Sequence, residues 1–467
     1  MAPSPTPSAI TLSELPLVRP LLRWRWFPYV FQLALLAVVV SLALLGLQSS
    51  VPQGVESKLV AKGTLVTLLV WGLWWPTMIW TAVIFGRVWC TVCPLELVAN
   101  ITERVARRLG IGGRTLGRVL RGGWVALALY LAMQMLVAGA EMHRSAWLTG
   151  VMMLGLVGLA GATAAIYRDR AFCRGFCPVS LLLGSYGRHG SVAMRAESPA
   201  VCAECADHRC TDASLRAAAD ARSCPSLLDP SRLQSNADCL VCGQCVKVCS
   251  GDTMRMLLRT PFDRRDMRET APRWPLALFV MTASGFVTAE IAAEWPAAKA
   301  AVAWAPHALA SALGVQSLGG WIDGLWVIAA IPAILWLLFG IIAAEGRIGR
   351  FGESVRALAL PMVVLVASAH MAKAFVKATS WAGFLPGALD DPTNAALSIS
   401  IAAELIAKPA ALVTTETASV VGLALVVAGF GLAIRELRLG GSLRIATVIP
   451  TVLLAALYLV IIAGWGG

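Results

Sequence analysis

The sequence predicts a polytopic α-helical membrane protein of about nine transmembrane helices, with one cysteine-rich domain inserted between the fourth helix and the fifth. Three observations carry that prediction. Of the 467 residues, 58% are hydrophobic and 14% charged, and the mean hydropathy is +0.71. That balance suits a lipid-embedded chain and excludes an ordinary soluble domain of this length. Nine apolar stretches approach the roughly 20 residues that cross a bilayer core. All twelve cysteines lie in one arginine-rich stretch between Cys90 and Cys249.

Residues 1–26 form a Pro/Ser-rich cytoplasmic leader. Arg19, Arg23 and Arg25 stand directly before a full-length span, which favours an uncleaved anchor over a signal peptide cut near Ser49. The spans fall at 27–47, 64–85, 122–140, 145–167, 274–295, 321–344, 357–378, 417–434 and 445–464. They leave a four-helix membrane unit at 27–167, an extramembrane domain at 168–273 and a C-terminal membrane unit of about five helices at 274–467. Of the 39 Lys and Arg residues, 32 lie in 1–26, 86–121, 168–273, 345–356 and 435–444, and five in the alternating loops. The positive-inside rule then puts every cysteine in the cytoplasm. Topology also accounts for the net charge of +12. No aromatic-interleaved basic run points to nucleic acid, and membrane lipid is the expected surrounding. Trp71, Trp74, Trp75 and Trp80 crowd the second span as packing and interfacial anchors, and Pro76 among them predicts a kink.

The first four spans contain a repeat. Arg87-Val-Trp89-Cys90-Thr-Val-Cys93-Pro94 closes the second span, and Arg170-Ala-Phe172-Cys173-Arg-Gly-Phe-Cys177-Pro178 closes the fourth. Each unit is a transmembrane hairpin ending in a cysteine pair, with a proline suited to open the next helix. After Pro94, Leu97, Ile101, Val105 and Leu109 share one helical face, which predicts a helix lying on the membrane surface.

In the inserted domain, Cys239, Cys242, Cys245 and Cys249 make the run C-x2-C-x2-C-x3-C, preceded by Cys202, Cys205, Cys210 and Cys224. Three thiolates two residues apart can cap three corners of a cubane, and the fourth cysteine of such a run ligates the other cluster. The expected grouping is therefore crossed. Cys202, Cys205, Cys210 and Cys249 hold one [4Fe–4S] cluster, and Cys239, Cys242, Cys245 and Cys224 hold the other. The fold class becomes a helical membrane protein with an inserted cytoplasmic ferredoxin-like 2[4Fe–4S] domain, returned to the membrane by the linker from Thr260 to Arg268. Two four-thiolate zinc sites are the alternative, but zinc uses cysteines in pairs and does not call for the x2-x2-x3 run. A reducing cytoplasm argues against six disulfides. The remaining cysteines, Cys90, Cys93, Cys173 and Cys177, suffice for a third cluster or another thiophilic metal, or stand as free thiols or a redox-active pair.

With its paired C-P motifs and this domain, the stretch of about residues 25–275 resembles the membrane-bound ferredoxin family that includes NapH, NosR and CcoG. The resemblance implies a bacterial inner-membrane protein with quinol as electron donor and a redox protein as partner. The family's roles are electron supply to periplasmic nitrate and nitrous oxide reductases, and copper handling in oxidase assembly. The chain departs from the family pattern in three places. Its first pair is C-x2-C-P where C-x3-C-P is usual, 13 residues separate Cys210 from Cys224 where a compact ferredoxin has about three, and Ser250 stands where proline is usual. About 26 residues precede the first span, so no flavin domain of the NosR type is expected. The last 190 or so residues gain no function from the resemblance.

His370, Lys373 and Lys377 share one face of the seventh span, and Glu290 lies in the fifth. Ionisable groups inside a span default to a functional hypothesis, so Glu290 and His370 form a candidate proton relay for a quinol. The alternative is that both lysines snorkel outward and His370 makes one interhelical hydrogen bond. Of the histidines at 143, 189, 208, 307 and 370, only His370 lies in a span, so no haem is expected. Three functions fit: electron transfer between the quinone pool and a respiratory or periplasmic partner, copper reduction for metalloenzyme assembly, and redox-gated transport through the last five spans. The topology has a direct check. A reporter active only in the periplasm is expected to be silent when fused after Arg273 and active after Gly467, and the opposite pattern would place the cysteines outside.

Overall fold

The computed structural model describes residues 9–49, 52–262, 272–393 and 395–466. Most of the expected return linker, from residue 263 onward, lies outside the described residues. The chain is a polytopic helical membrane protein. Among the described residues, eight helices are long and apolar enough to cross a membrane. They are α1 (Tyr29–Gln48), α2 (Leu65–Phe85), α5 (Ala146–Ile166), α6 (Trp274–Ala292), α7 (Gln316–Ala343), α8 (Ile348–Ala382), α9 (Thr415–Leu439) and α10 (Ile445–Gly466). The third expected span is the shorter apolar helix α4 (Trp124–Gly139). Between α2 and α4 runs α3 (Pro94–Arg108), opened by its proline as the motif predicts. Ile101, Val105 and Leu109 of α3 are exposed, while Glu96, Leu97 and Asn100 are buried. The exposed face thus carries Ile101, Val105 and Leu109, whereas Leu97, expected on that face, turns inward with Glu96.

Two compact units divide the chain. The first comprises residues 1–39, 81–126 and 155–268 and contains every cysteine. Its centre is a three-stranded antiparallel sheet in which β3 (Met254–Leu258) lies between β1 (Ile10–Thr11) and β2 (Val192–Ala196). Alternation puts Val192 and Met194 on one face, where they pack with Leu22, Phe27, Cys239, Cys245 and Met254. The N-terminal segment is thus built into the cysteine domain. Arg19 and Arg23 pair with Asp252, and Lys247 Nζ donates to the Trp24 carbonyl at 2.8 Å. Gly243 has φ +71°, and a Cβ there would come within 2.7 Å of Leu22. The positive φ calls for glycine at that turn, and a Cβ would also displace the Leu22 methyl.

The second unit comprises residues 40–80, 127–154 and 269–467. Helix α8 is its most enclosed member, with 83% of its apolar window buried. Tryptophan and hydroxyl groups supply polar contacts between helices: Trp71 Nε1 donates to Thr149 Oγ1 at 3.0 Å, Trp336 Nε1 to Ser284 Oγ at 3.0 Å and Trp80 Nε1 to the Met371 carbonyl at 3.0 Å. Near Pro76, where a kink is expected, the helix carries a wide π-helical stretch, Leu68–Trp74, that ends two residues before it. A proline cannot donate to the preceding turn, and an i→i+5 turn absorbs the mismatch.

Helices α1 and α5 meet through glycine. A Cβ on Gly46 would lie 2.5 Å from the Ala146 carbonyl oxygen, and one on Gly150 would lie 2.6 Å from that of Ala43. Backbones this close are the small-residue packing that membranes favour. Gly150→Ala is therefore expected to cost about 1–3 kcal/mol through overpacking. Thermal unfolding in detergent checks this, and a variant as stable as the parent would show that the helices separate freely.

Candidate metal centres

The local backbone explains how the two C-P motifs, one residue different in length, present their cysteines alike. Cys90 lies in a short helical turn, Trp89–Val92. Cys173 lies in a wide π-helical turn, Phe172–Phe176, closed by Cys177 N donating to the Phe172 carbonyl at 2.8 Å. The wider turn takes up the extra residue. Both second cysteines then leave in the extended conformation that a following proline imposes, φ −63° and ψ 124° at Cys93, φ −67° and ψ 117° at Cys177. Cys90, Cys93, Cys173 and Cys177 lie within electrostatic reach of one another. Cys173 and Cys177 also pack beside Ala99, Ala160, Ala164 and Phe172.

In the inserted domain, Cys224, Cys239, Cys242 and Cys245 line one apolar cavity with Met194, Leu228 and Leu233. Cys202, Cys205 and Cys249 interact electrostatically, and Cys210 interacts with Cys202 and Cys249. The span-end set and the first of these two sets are joined directly. Thr91, between Cys90 and Cys93, places its Oγ1 3.4 Å from the Leu240 carbonyl and 3.5 Å from that of Val241, between Cys239 and Cys242.

Among the described residues, no three His, Cys, Asp or Glu side chains close on a point that one ion would occupy. Zinc needs its four thiolates about 2.3 Å from a single ion. Four thiols lining one apolar cavity are the donor chemistry that an iron–sulfur cluster would take, one thiolate to each iron corner. Burial pushes the Cys93 thiol up to about 12, with Cys173 and Cys90 adding to the effect, and burial likewise raises Cys239 to about 12. These thiols are neutral unless a metal takes the place of the proton, so loading must release protons.

Between the span-end set and the Cys224 set lies a charge network that motif reading did not find. Glu96 Oε1 accepts from Arg222 Nη2 at 2.6 Å and stands 3.4 Å from Arg170 Nε, while Oε2 accepts from Gln32 Nε2 at 2.6 Å. Burial would raise this carboxyl, but Arg222 and Arg170 outweigh it and hold Glu96 at about 2. The one sequence signal was a lone Glu three residues beyond Cys93 on an otherwise apolar turn.

The candidate relay residues belong to the second unit. Glu290 is within electrostatic reach of Lys377, Lys373, His370 and His143. His370 is buried, its ring 5.9 Å from that of Phe286 and 6.4 Å from that of Trp75. Lys373 does not snorkel alone: it pairs with Glu294, a residue the sequence reading passed over. Lys377 sits 5.5 Å over the Trp381 ring.

The Glu96 network predicts an acid-sensitive fold. A carboxyl depressed from 4.5 to about 2 contributes stability that is fully present above 4.5 and is lost as pH falls toward 2. The full contribution is on the order of 3 kcal/mol, from about 1.4 kcal/mol per unit. Glu96→Gln should therefore unfold at lower temperature than the parent at pH 7, with the gap closing between pH 4.5 and 2. A gap independent of pH would mean that Glu96 is not ionised in the fold.

No family model matches the chain, and no solved structure matches it. It is similar to the ferredoxin-type protein NapH of Escherichia coli K12, at 25% identity over 193 residues, covering 37% of this chain and 62% of that protein. It is also similar to the ferredoxin-type protein NapH of Haemophilus influenzae Rd, at 25% identity over 194 residues, covering 38% of this chain and 64% of that protein. The chain thus spans less than two thirds of the length of the curated relatives it matches. Beside its membrane helices and gathered cysteines, the chain thus shows a partial similarity to the ferredoxin-type protein NapH.

Proposed function

We propose that the chain is an iron–sulfur electron-transfer protein of the bacterial inner membrane, passing electrons from the quinone pool to a respiratory or periplasmic redox protein. The observation that carries this reading is the contact between Thr91 and the Leu240 and Val241 carbonyls, which makes the span-end cysteines neighbours of a ferredoxin-type loop. In this reading Cys202, Cys205, Cys210 and Cys249 hold one [4Fe–4S] cluster, Cys224, Cys239, Cys242 and Cys245 a second, and Cys90, Cys93, Cys173 and Cys177 a third. Such clusters supply one-electron steps whose potentials follow local charge, hydrogen bonding and exposure. The chain's own part is to supply the thiolates, keep water away from Cys239 and Cys245, and hold the loops in register through the β2–β3 pairing.

Oxidation of a quinol releases two electrons and two protons. Glu290 and His370 are the proposed proton acceptors. The charged surroundings of Glu290 support that role, since an ionisable cluster inside a span is costly and marks ion or proton pathways. The relatives' name, ferredoxin-type protein, agrees with electron transfer.

Iron and sulfide analysis of anaerobically purified protein should give at least about eight of each per chain, rising to about twelve if the span-end set is loaded. Zinc with negligible sulfide would end this reading. Cys239→Ser should lose metal and destabilise the inserted domain, because its cluster organises the loop. Cys93→Ser and Cys177→Ser should insert normally and keep the clusters of the inserted domain, yet lose most quinol-dependent reduction measured by EPR in membranes. Unchanged reduction in both would remove the span-end cysteines from the electron path.

A further inference from the structure

The repeated motif contributes two arginines whose purpose the cysteines do not explain. Arg87 and Arg170 each stand three residues before the first cysteine of a pair. Arg170 is within electrostatic reach of Cys173 and Cys90 in the span-end set, and of Cys242 and Cys224 in the neighbouring set. Arg87 is likewise near Cys173.

The charge around Arg170 does not balance. Glu96, Arg170 and Arg222 are 1%, 6% and 4% exposed, so one carboxylate faces two guanidinium groups away from water. A buried uncompensated charge costs several kcal/mol. Arg170 Nη1 is buried without a hydrogen-bond partner. The fold nevertheless fixes this side chain with care. Asp169 and Arg170 both take left-handed backbone, with φ 66° and 54°, a conformation that costs about 1–3 kcal/mol per residue. Glu103 holds the pair by accepting from both amides, Asp169 N at 3.2 Å and Arg170 N at 3.4 Å.

We infer that Arg170 is a counter-charge shared by two redox centres, the Cys90, Cys93, Cys173, Cys177 set and the Cys224, Cys239, Cys242, Cys245 set. This rests on the reading that both sets hold clusters. Thiolate-ligated centres are anionic, which supplies the negative charge that Glu96 alone does not. A fixed cation beside an acceptor stabilises the form with one more electron, so Arg170 raises the reduction potential of each centre. When an electron crosses between them, one centre is oxidised by one electron and the other reduced by one, with no bond or proton moved. A cation shared by both stabilises the electron on either side and keeps the two potentials close.

Redox titration of the purified protein, followed by EPR, separates this role from a purely structural one. At wild-type iron and sulfide content, Arg170→Gln should lower the reduced-to-oxidised ratio about tenfold at a fixed potential, a shift of about −59 mV for one electron. Arg170→Lys should restore most of it, since the charge returns. Glu96→Gln should move the same centres in the opposite direction, because it removes a negative charge. The Cys202, Cys205, Cys210, Cys249 set has Asp229 among its charged neighbours and should move least. Unshifted potentials in Arg170→Gln with iron intact would overturn the inference and leave the functional reading standing. Wild-type protein without iron would overturn both. If Arg170→Gln fails to assemble, Glu96→Gln carries the test, and an unmoved or lowered potential overturns the inference.

Discussion

The buried carboxylate of Glu96 ties together four separate pieces of chain. Gln32 reaches it from α1, Asn100 from its own helix, Arg170 from the approach to the second cysteine pair and Arg222 from the loop before Cys224. Gln32 also donates to the Thr91 carbonyl at 2.9 Å, so the same network fixes the loop between Cys90 and Cys93. Glu96 would be expensive to bury alone, and these partners satisfy its carboxylate. The register of the cysteine loops against one another depends on the bonds that converge on it.

Prolines do the corresponding work along the backbone. Wide helical turns occur at Leu68–Trp74, Phe172–Phe176 and Trp326–Ala330, each followed within two residues by a proline, Pro76, Pro178 or Pro332. The common cause is the missing amide, which leaves an upstream carbonyl free to bond further along. In two cases the wide turn lies inside a span. In the third it sets the distance between two cysteines, which is why C-x2-C-P and C-x3-C-P end in the same extended exit.

The second unit faces a different constraint, since polar groups among lipid-facing helices must find partners within the protein. Lys373 finds Glu294, and the indoles of Trp71, Trp80 and Trp336 find oxygen acceptors. Glu290 and His370 are retained among these satisfied groups. In the loop between α4 and α5, burial together with Lys377 and Arg144 pushes His143 down to about 4, so it stands within electrostatic reach of Glu290 as a neutral imidazole near pH 7.

Hydropathy and the spacing of cysteine and proline determined the membrane class, the position of each span and the sorting of twelve cysteines into local motifs. These are properties of neighbouring residues, and neighbouring residues fix helix length, turn type and the exit angle before a proline. The helix after Pro94 was legible for the same reason, since its apolar residues recur at helical spacing, although Leu97 turns inward while Ile101, Val105 and Leu109 are exposed. The sequence did not reveal that residues 10–27 close the cysteine domain, that Lys373 meets Glu294, or that Arg170 and Arg222 converge on Glu96. Those pairings join positions 74 to more than 240 residues apart in the chain, or helices whose facing sides no local period specifies. Only the tertiary fold could decide them, because a charge is buried where its partner happens to arrive, and nothing in its own neighbourhood records the partner.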